Sequence, residues 1–216
     1  QIEAYLFMRD HLEADIPLGI PGAELQGPFT TAVLLRGSAF FTDLYDNPAL
    51  AHRLLAIITA NDIRLIETID RIVGRKRDFL HICDDFSGLL SPPMYEEFVL
   101  PCYDKLFTAF GVRKRVLHSE LLKREHLPLL SVVGITRYDA GTDQYLSITD
   151  LKEALDFPFR LQFKTSADLL LSTPADIKRK YRQMVEEGAV EMGVELCRRI
   201  PSENIIAFIE VAREYE

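Results

Sequence analysis

Two hydrophobic periodicities alternate along this chain. Helical spacing comes first over Ala49 to Ile72, where Leu54, Leu55, Ile58, Ile63, Ile66 and Ile69 recur on one face. Pro48 just before them suits the first position of a helix. The unbroken apolar run Phe79 to Cys83 follows and predicts a buried strand. Ser91-Pro92-Pro93-Met94 then opens a helix, with Ser as the cap, Pro at the first position and Glu96 and Glu97 in the first turn. That helix is predicted to run toward Phe110 and to stop at Gly111. The alternation continues with strands at Val116 to His118, Ile135 to Asp139, Phe159 to Phe163 and Val190 to Cys197. Helices are predicted at Leu127 to Val133, Ile148 to Leu155, Pro174 to Glu187 and Glu203 to Tyr215, and one more strand at Ile16 to Ile20.

Strands that alternate with helices imply a parallel sheet covered by helices. The predicted fold is α/β, of the (β/α)8 TIM-barrel type, which needs eight units. About six are visible, so residues 1–216 read as a single barrel domain with its N-terminal part missing. A doubly wound open sheet is the alternative, but no glycine-rich phosphate loop follows any strand. An incomplete barrel leaves strand edges near Ile16 to Ile20 and near Val190 to Leu196, and such edges favour association between copies.

Composition narrows the partners. The chain has 216 residues, 48% of them hydrophobic, with a formal net charge of −8 and a pI near 5.2. That balance speaks against nucleic acid or an anionic membrane as the primary partner. No apolar run approaches the roughly 20 residues that cross a bilayer. Three irregularly spaced cysteines make no disulfide framework and suit a reducing cytoplasm. The basic triplets Arg75-Lys76-Arg77, Arg113-Lys114-Arg115 and Lys178-Arg179-Lys180 read as solvated surface.

Three predicted strands end in a possible metal ligand: His118, Asp139 and Cys197. In a barrel, strand C-terminal ends converge on the face where active sites sit. Histidine, carboxylate and thiolate are donors that zinc accepts. The strand at Phe79 ends in Asp84 and Asp85, and one of the two is expected to face the pocket, where it could bind a cationic or hydroxylated substrate group; a helix-capping or loop-bracing carboxylate is the alternative reading. His81 and Cys83 share a face of that strand and read as core.

Several short motifs resemble one family. Gly27-Pro28-Phe29-Thr30 with Leu35-Arg36-Gly37 is one. Asp84-Asp85, Leu90-Ser91-Pro92 and Glu97-Phe98-Val99-Leu100-Pro101 form a second, and Val116-Leu117-His118-Ser119 a third. The tail is a fourth, from Cys197 through Ile200-Pro201 and Glu203-Asn204-Ile205 to Ala212-Arg213-Glu214-Tyr215. Together, in this order, they resemble the C-terminal part of the barrel in the uroporphyrinogen decarboxylase superfamily.

That resemblance implies two activities. The true decarboxylases act on a tetrapyrrole, and the segment carrying their substrate-binding arginines and aspartate has no counterpart here. Their late histidine is replaced around Cys197. The corrinoid-dependent methyltransferases hold zinc through a His-x-Cys after a strand and a late Cys. By position, His118 and Cys197 match those ligands, Glu120 stands where the first Cys would be, and Asp139 lies where a related barrel adds an acid. The expectation is therefore a methyltransferase-like enzyme that moves a methyl group between a corrinoid, carried by a partner protein, and a thiol or other acceptor. Zinc would be held by His118, Glu120, Cys197 and Asp139, with Asp84 and Asp85 at the pocket. A tetrapyrrole carboxy-lyase and a truncated, non-catalytic barrel are the alternatives.

Overall fold

The computed structural model describes residues 2–13, 15–16, 18–21 and 25–215. Its centre is a five-stranded sheet in the order β1-β2-β3-β4-β5. The strands are β1 (Phe79–Cys83), β2 (Lys114–His118), β3 (Arg137–Asp139), β4 (Phe159–Phe163) and β5 (Glu191–Val194). Every pair is parallel. Consecutive parallel strands in sequence order, each followed by helix, are the (β/α)-barrel arrangement.

The helices are α1 (Ile2–His11), α2 (Pro28–Arg36), α3 (Ala39–Asp46), α4 (Pro48–Val73), α5 (Pro92–Phe98), α6 (Leu100–Phe110), α7 (Leu127–Val132), α8 (Ile148–Ala154), α9 (Pro174–Glu187) and α10 (Ser202–Ala212). Proline begins α4, α5 and α9, where its missing N–H has no helical partner to lose. Ser147 and Thr173 start α8 and α9 with reciprocal capping boxes to Asp150 and Asp176.

Alternation along the strands separates two faces. Leu80, Ile82, Leu117, Tyr138, Leu161 and Phe163 are buried against the helices. Each such side chain contributes roughly 1.5–3 kcal/mol of burial. The other face carries His81, Cys83, His118, Asp139, Arg160 and Gln162. The pairing register sets Cys83, His118, Asp139, Arg160 and Glu191 in one row across all five strands.

Four expectations need correction. The strand predicted at Ile16 to Ile20 is not formed: Pro17 lies outside the described residues, and Leu18, Gly19 and Ile20 are in no strand. The place beside β1 goes to Leu25-Gln26-Gly27, where the Gly27 N–H donates to the Cys83 carbonyl at 2.6 Å and the Cys83 N–H to the Leu25 carbonyl at 3.1 Å. Burial decides between the two segments, since Leu25 is 5% exposed and Ile16 46%. The single helix predicted from Ser91 to Phe110 breaks into α5 and α6 at Val99, because Pro101 has no N–H to continue the ladder. The run Ile135 to Asp139 supplies only three strand residues. β5 ends at Val194, and Cys197 lies beyond it in irregular chain; the strand has no outer neighbour among the described residues to extend its ladder.

Candidate active site

The two aspartates at the end of β1 part company. Asp84 is fully buried and turns to the N-terminus of α2, accepting from the Thr30 N–H at 2.7 Å and the Phe29 N–H at 3.4 Å. The Tyr103 hydroxyl donates to it at 2.9 Å. Burial pushes its pKa up to about 6 against these hydrogen bonds, which pull it down. Asp84 therefore caps a helix and ties the strand end to α2 and α6. Asp85 faces the other way. It accepts from the Glu120 N–H at 2.8 Å and stands 3.8 Å from His118 Nε2.

His118 closes β2 with a carboxylate on each side of its ring. Nδ1 is 3.5 Å from Asp139 Oδ2 and Nε2 faces Asp85. Burial lowers the His118 pKa, but the Asp139 contact and the charges of Asp139, Asp85 and Glu120 outweigh it, so the pKa lies above its ordinary value. Asp139 moves the other way. Burial raises its pKa, yet His118, the Gly141 N–H at 3.0 Å and the Arg160 guanidinium 3.6 Å away hold it below the usual carboxylate range. Both shifts favour a protonated imidazole beside an ionised Asp139.

Gly141 makes this packing possible. Its φ is +55°, and a Cβ there would lie 2.3 Å from Glu120 Oε1 and 2.9 Å from His118 Cε1. The Thr142 N–H and hydroxyl both donate to Glu120 Oε1, at 2.8 and 3.0 Å. His118, Glu120 and Cys197 line one open cleft of about 710 Å³, together with Lys164, Glu195 and Arg199. Asp139, 3.5 Å from His118 Nδ1, is not among the residues that line this cleft. A second cleft of about 490 Å³ shares Thr142, Gln162 and Lys164 with the first and reaches to α9.

Three of the four expected zinc donors thus line one cleft, but they do not form a metal site as they stand. Both imidazole nitrogens face carboxylates, and Thr142 occupies a Glu120 oxygen. Among the described residues no three His, Cys, Asp or Glu side chains are grouped to hold an ion. His81, expected in the core, is exposed on the same sheet face; its Nε2 is 3.8 Å from Cys83 Sγ. Sequence reasoning missed Arg160, Lys164, Thr142 and Gly141. Lys164 carries the one available signal, since it follows the last residue of a predicted strand.

The uroporphyrinogen decarboxylase (URO-D) family model matches residues 2–215. The chain belongs to the uroporphyrinogen decarboxylase family. Among curated relatives, the uroporphyrinogen decarboxylase of Flavobacterium johnsoniae is 27% identical over 99% of this chain and 64% of its own length. That of Syntrophotalea carbinolica is 25% identical over 97% of this chain and 63% of its own. This chain therefore spans less than two thirds of the relatives it matches. Among solved structures, a methyltransferase from Methanosarcina mazei superposes with a TM-score of 0.75 at 21% identity, over 99% of this chain and 63% of that one. At that identity the likeness establishes the fold, a TIM-type barrel shared by this family. No helix among the described residues is long and apolar enough to cross a membrane.

Proposed function

We propose that this family member is a methyl-transferring enzyme, moving a methyl group between a corrinoid carried by a partner protein and a thiol or other acceptor. One observation carries the reading: a carboxylate-clamped imidazole, His118, and a thiol, Cys197, line the same cleft. A cation in the cleft favours the thiolate of an acceptor thiol bound there, the nucleophilic form. His118, whose pKa Asp139 and Asp85 raise, is suited to supply that cation. In the transfer the acceptor thiol releases its proton to solvent and its sulfur bonds to the methyl carbon. The carbon–cobalt bond breaks, and its electron pair stays with the corrinoid. The methyltransferase whose fold this chain shares supports the reading. Free thiols at Cys102 and Cys197 suit a cytoplasmic setting.

The second reading is a tetrapyrrole carboxy-lyase, favoured by the names of the curated relatives. Zinc is a separate proposal, supported only by His118, Glu120 and Cys197 sharing the cleft. Purified without chelator, the protein should carry near-stoichiometric zinc that Cys197→Ser loses; metal-free protein that is still active removes the zinc proposal and leaves the rest. For the main reading, protein given methylcobalamin and a panel of thiols should demethylate it, and His118→Asn should slow this at least about tenfold without unfolding. No turnover of methylcobalamin, with conversion of uroporphyrinogen instead, assigns the second reading. Inactivity on both substrates assigns a non-catalytic barrel.

A further inference from the structure

Two segments meet beside His118. Residues 84–91 follow β1 and carry Asp85, and residues 119–126 follow β2 and carry Glu120. They touch in order along their lengths. The Glu120 N–H donates to Asp85 Oδ1 at 2.8 Å. Gly88 lies against the peptide of Leu121, where a Cβ would come 2.4 Å from the carbonyl carbon. At the far end stands His126, 1% exposed. Its Nδ1 accepts from the Lys123 N–H at 3.0 Å, and its Nε2 lies 3.0 Å from the Leu90 carbonyl oxygen. The Tyr95 ring of α5 meets it edge-on, with centroids 5.2 Å apart.

The two backbone partners fix the state of this ring. A peptide N–H only donates and a carbonyl only accepts, so Nδ1 carries no proton and Nε2 carries one. We propose that His126 is a positioning residue of the site: a neutral latch that holds the segment bearing Asp85 against the segment bearing Glu120. The latch holds these segments whatever reaction the cleft performs. A second proton, on Nδ1, would meet the Lys123 N–H head-on in a buried place, so the ring takes it up only by leaving. Burial lowers the His126 pKa, against the Leu90 carbonyl and the Glu125 charge, which raise it. Of the other groups around the ring, Lys123 is on its own segment, Tyr95 is on α5, and Arg124 is tied to Asp150 and Glu153 of α8; α7 has no titratable side chain.

Nitrogen-15 NMR and amide hydrogen exchange on the purified chain test the latch. At pH 7.5 the His126 ring should carry its proton on Nε2 and none on Nδ1. Between pH 6.5 and 5.5 the protection of the Lys123 and Glu120 amides should fall together, by about fivefold, while the amides of β4 and α9 hold theirs. The raised pKa values of His118 and Asp84 act with the opposite sign. That of His81 is lowered and shares the sign, so a variant must assign the effect. His126→Asn does not titrate and can still accept from the Lys123 N–H. It should keep the Lys123 amide protected and remove the pH dependence at both amides. His126→Ala should cost both amides at least about tenfold in protection at pH 7.5; the wild-type series and His126→Asn decide the matter even where His126→Ala fails to fold. A ring protonated on Nδ1 overturns the proposal. So does wild-type protection that ignores pH, a dependence that survives in His126→Asn, or a loss spread evenly over β4 and α9.

Discussion

Asp84 should make the fold less stable as pH rises. It is completely buried, accepts three hydrogen bonds, and its pKa lies at about 6 against a reference of 3.8. For an acid whose folded pKa is raised, the contribution to stability is fully present below the unfolded pKa and is lost as pH climbs through the folded one. Over the whole window that loss is on the order of 3 kcal/mol, and between pH 5 and 7.5 it is roughly 1 kcal/mol. Asp62 acts in the same direction, with a pKa raised to about 6 by burial and then by the Asp84 charge; being only half-buried, it adds less. Asp84→Asn keeps a carbonyl for the Thr30 N–H and removes the titration. Urea unfolding of wild type and variant at both pH values cancels the groups they share. The variant should gain roughly 1 kcal/mol on wild type between pH 5 and 7.5. Parallel pH profiles would refute the reasoning. Asp84→Ala strands buried donors as well and should cost about 2–4 kcal/mol at either pH.

Other consequences follow from the same geometry. Asp139→Asn should lower the His118 pKa, read by NMR titration; an unchanged value means that Asp85 and Glu120 hold the proton without it. Gly141→Ala meets a φ of +55° and the Glu120 and His118 side chains, so its thermal midpoint should fall by the equivalent of roughly 1–2 kcal/mol, and an unchanged midpoint contradicts the packing described. Arg77 pairs with Asp70 and its side chain is 3% exposed; Arg77→Ala should cost about 3–5 kcal/mol because a carboxylate is left uncompensated. A loss within the range of ordinary surface pairs in a denaturant titration would show that solvent reaches Asp70.

The regular parts of the fold are legible because their signals are local. Pro48, Pro92 and Pro174 open helices, Gly111 and Gly188 end them, and all five strands overlap runs at the expected positions. Failures came where tertiary contact decides. Leu25-Gln26-Gly27 has no strand pattern and takes its place by two hydrogen bonds to Cys83. Residues 165–170 form a π-helical turn with no sequence signature. In the site, strand ends in His118, Asp139 and Asp85 were visible as positions. Which of Asp84 and Asp85 turns toward His118 depends on the N-terminus of α2, and residue order does not reveal that. Arg160 was invisible because its role comes from register, two strands away from His118. Cys197 was read as a strand end, although it lies three residues beyond β5 in irregular chain.

The central claim is that this cleft transfers a methyl group, and labelled transfer tests it most directly. The protein is incubated with carbon-13 methylcobalamin and an acceptor thiol, and the products are read by mass spectrometry. The account predicts a labelled methyl thioether, formed at a rate that His118→Asn reduces at least about tenfold. Loss of carbon dioxide from uroporphyrinogen, with no labelled thioether from any thiol offered, would contradict it.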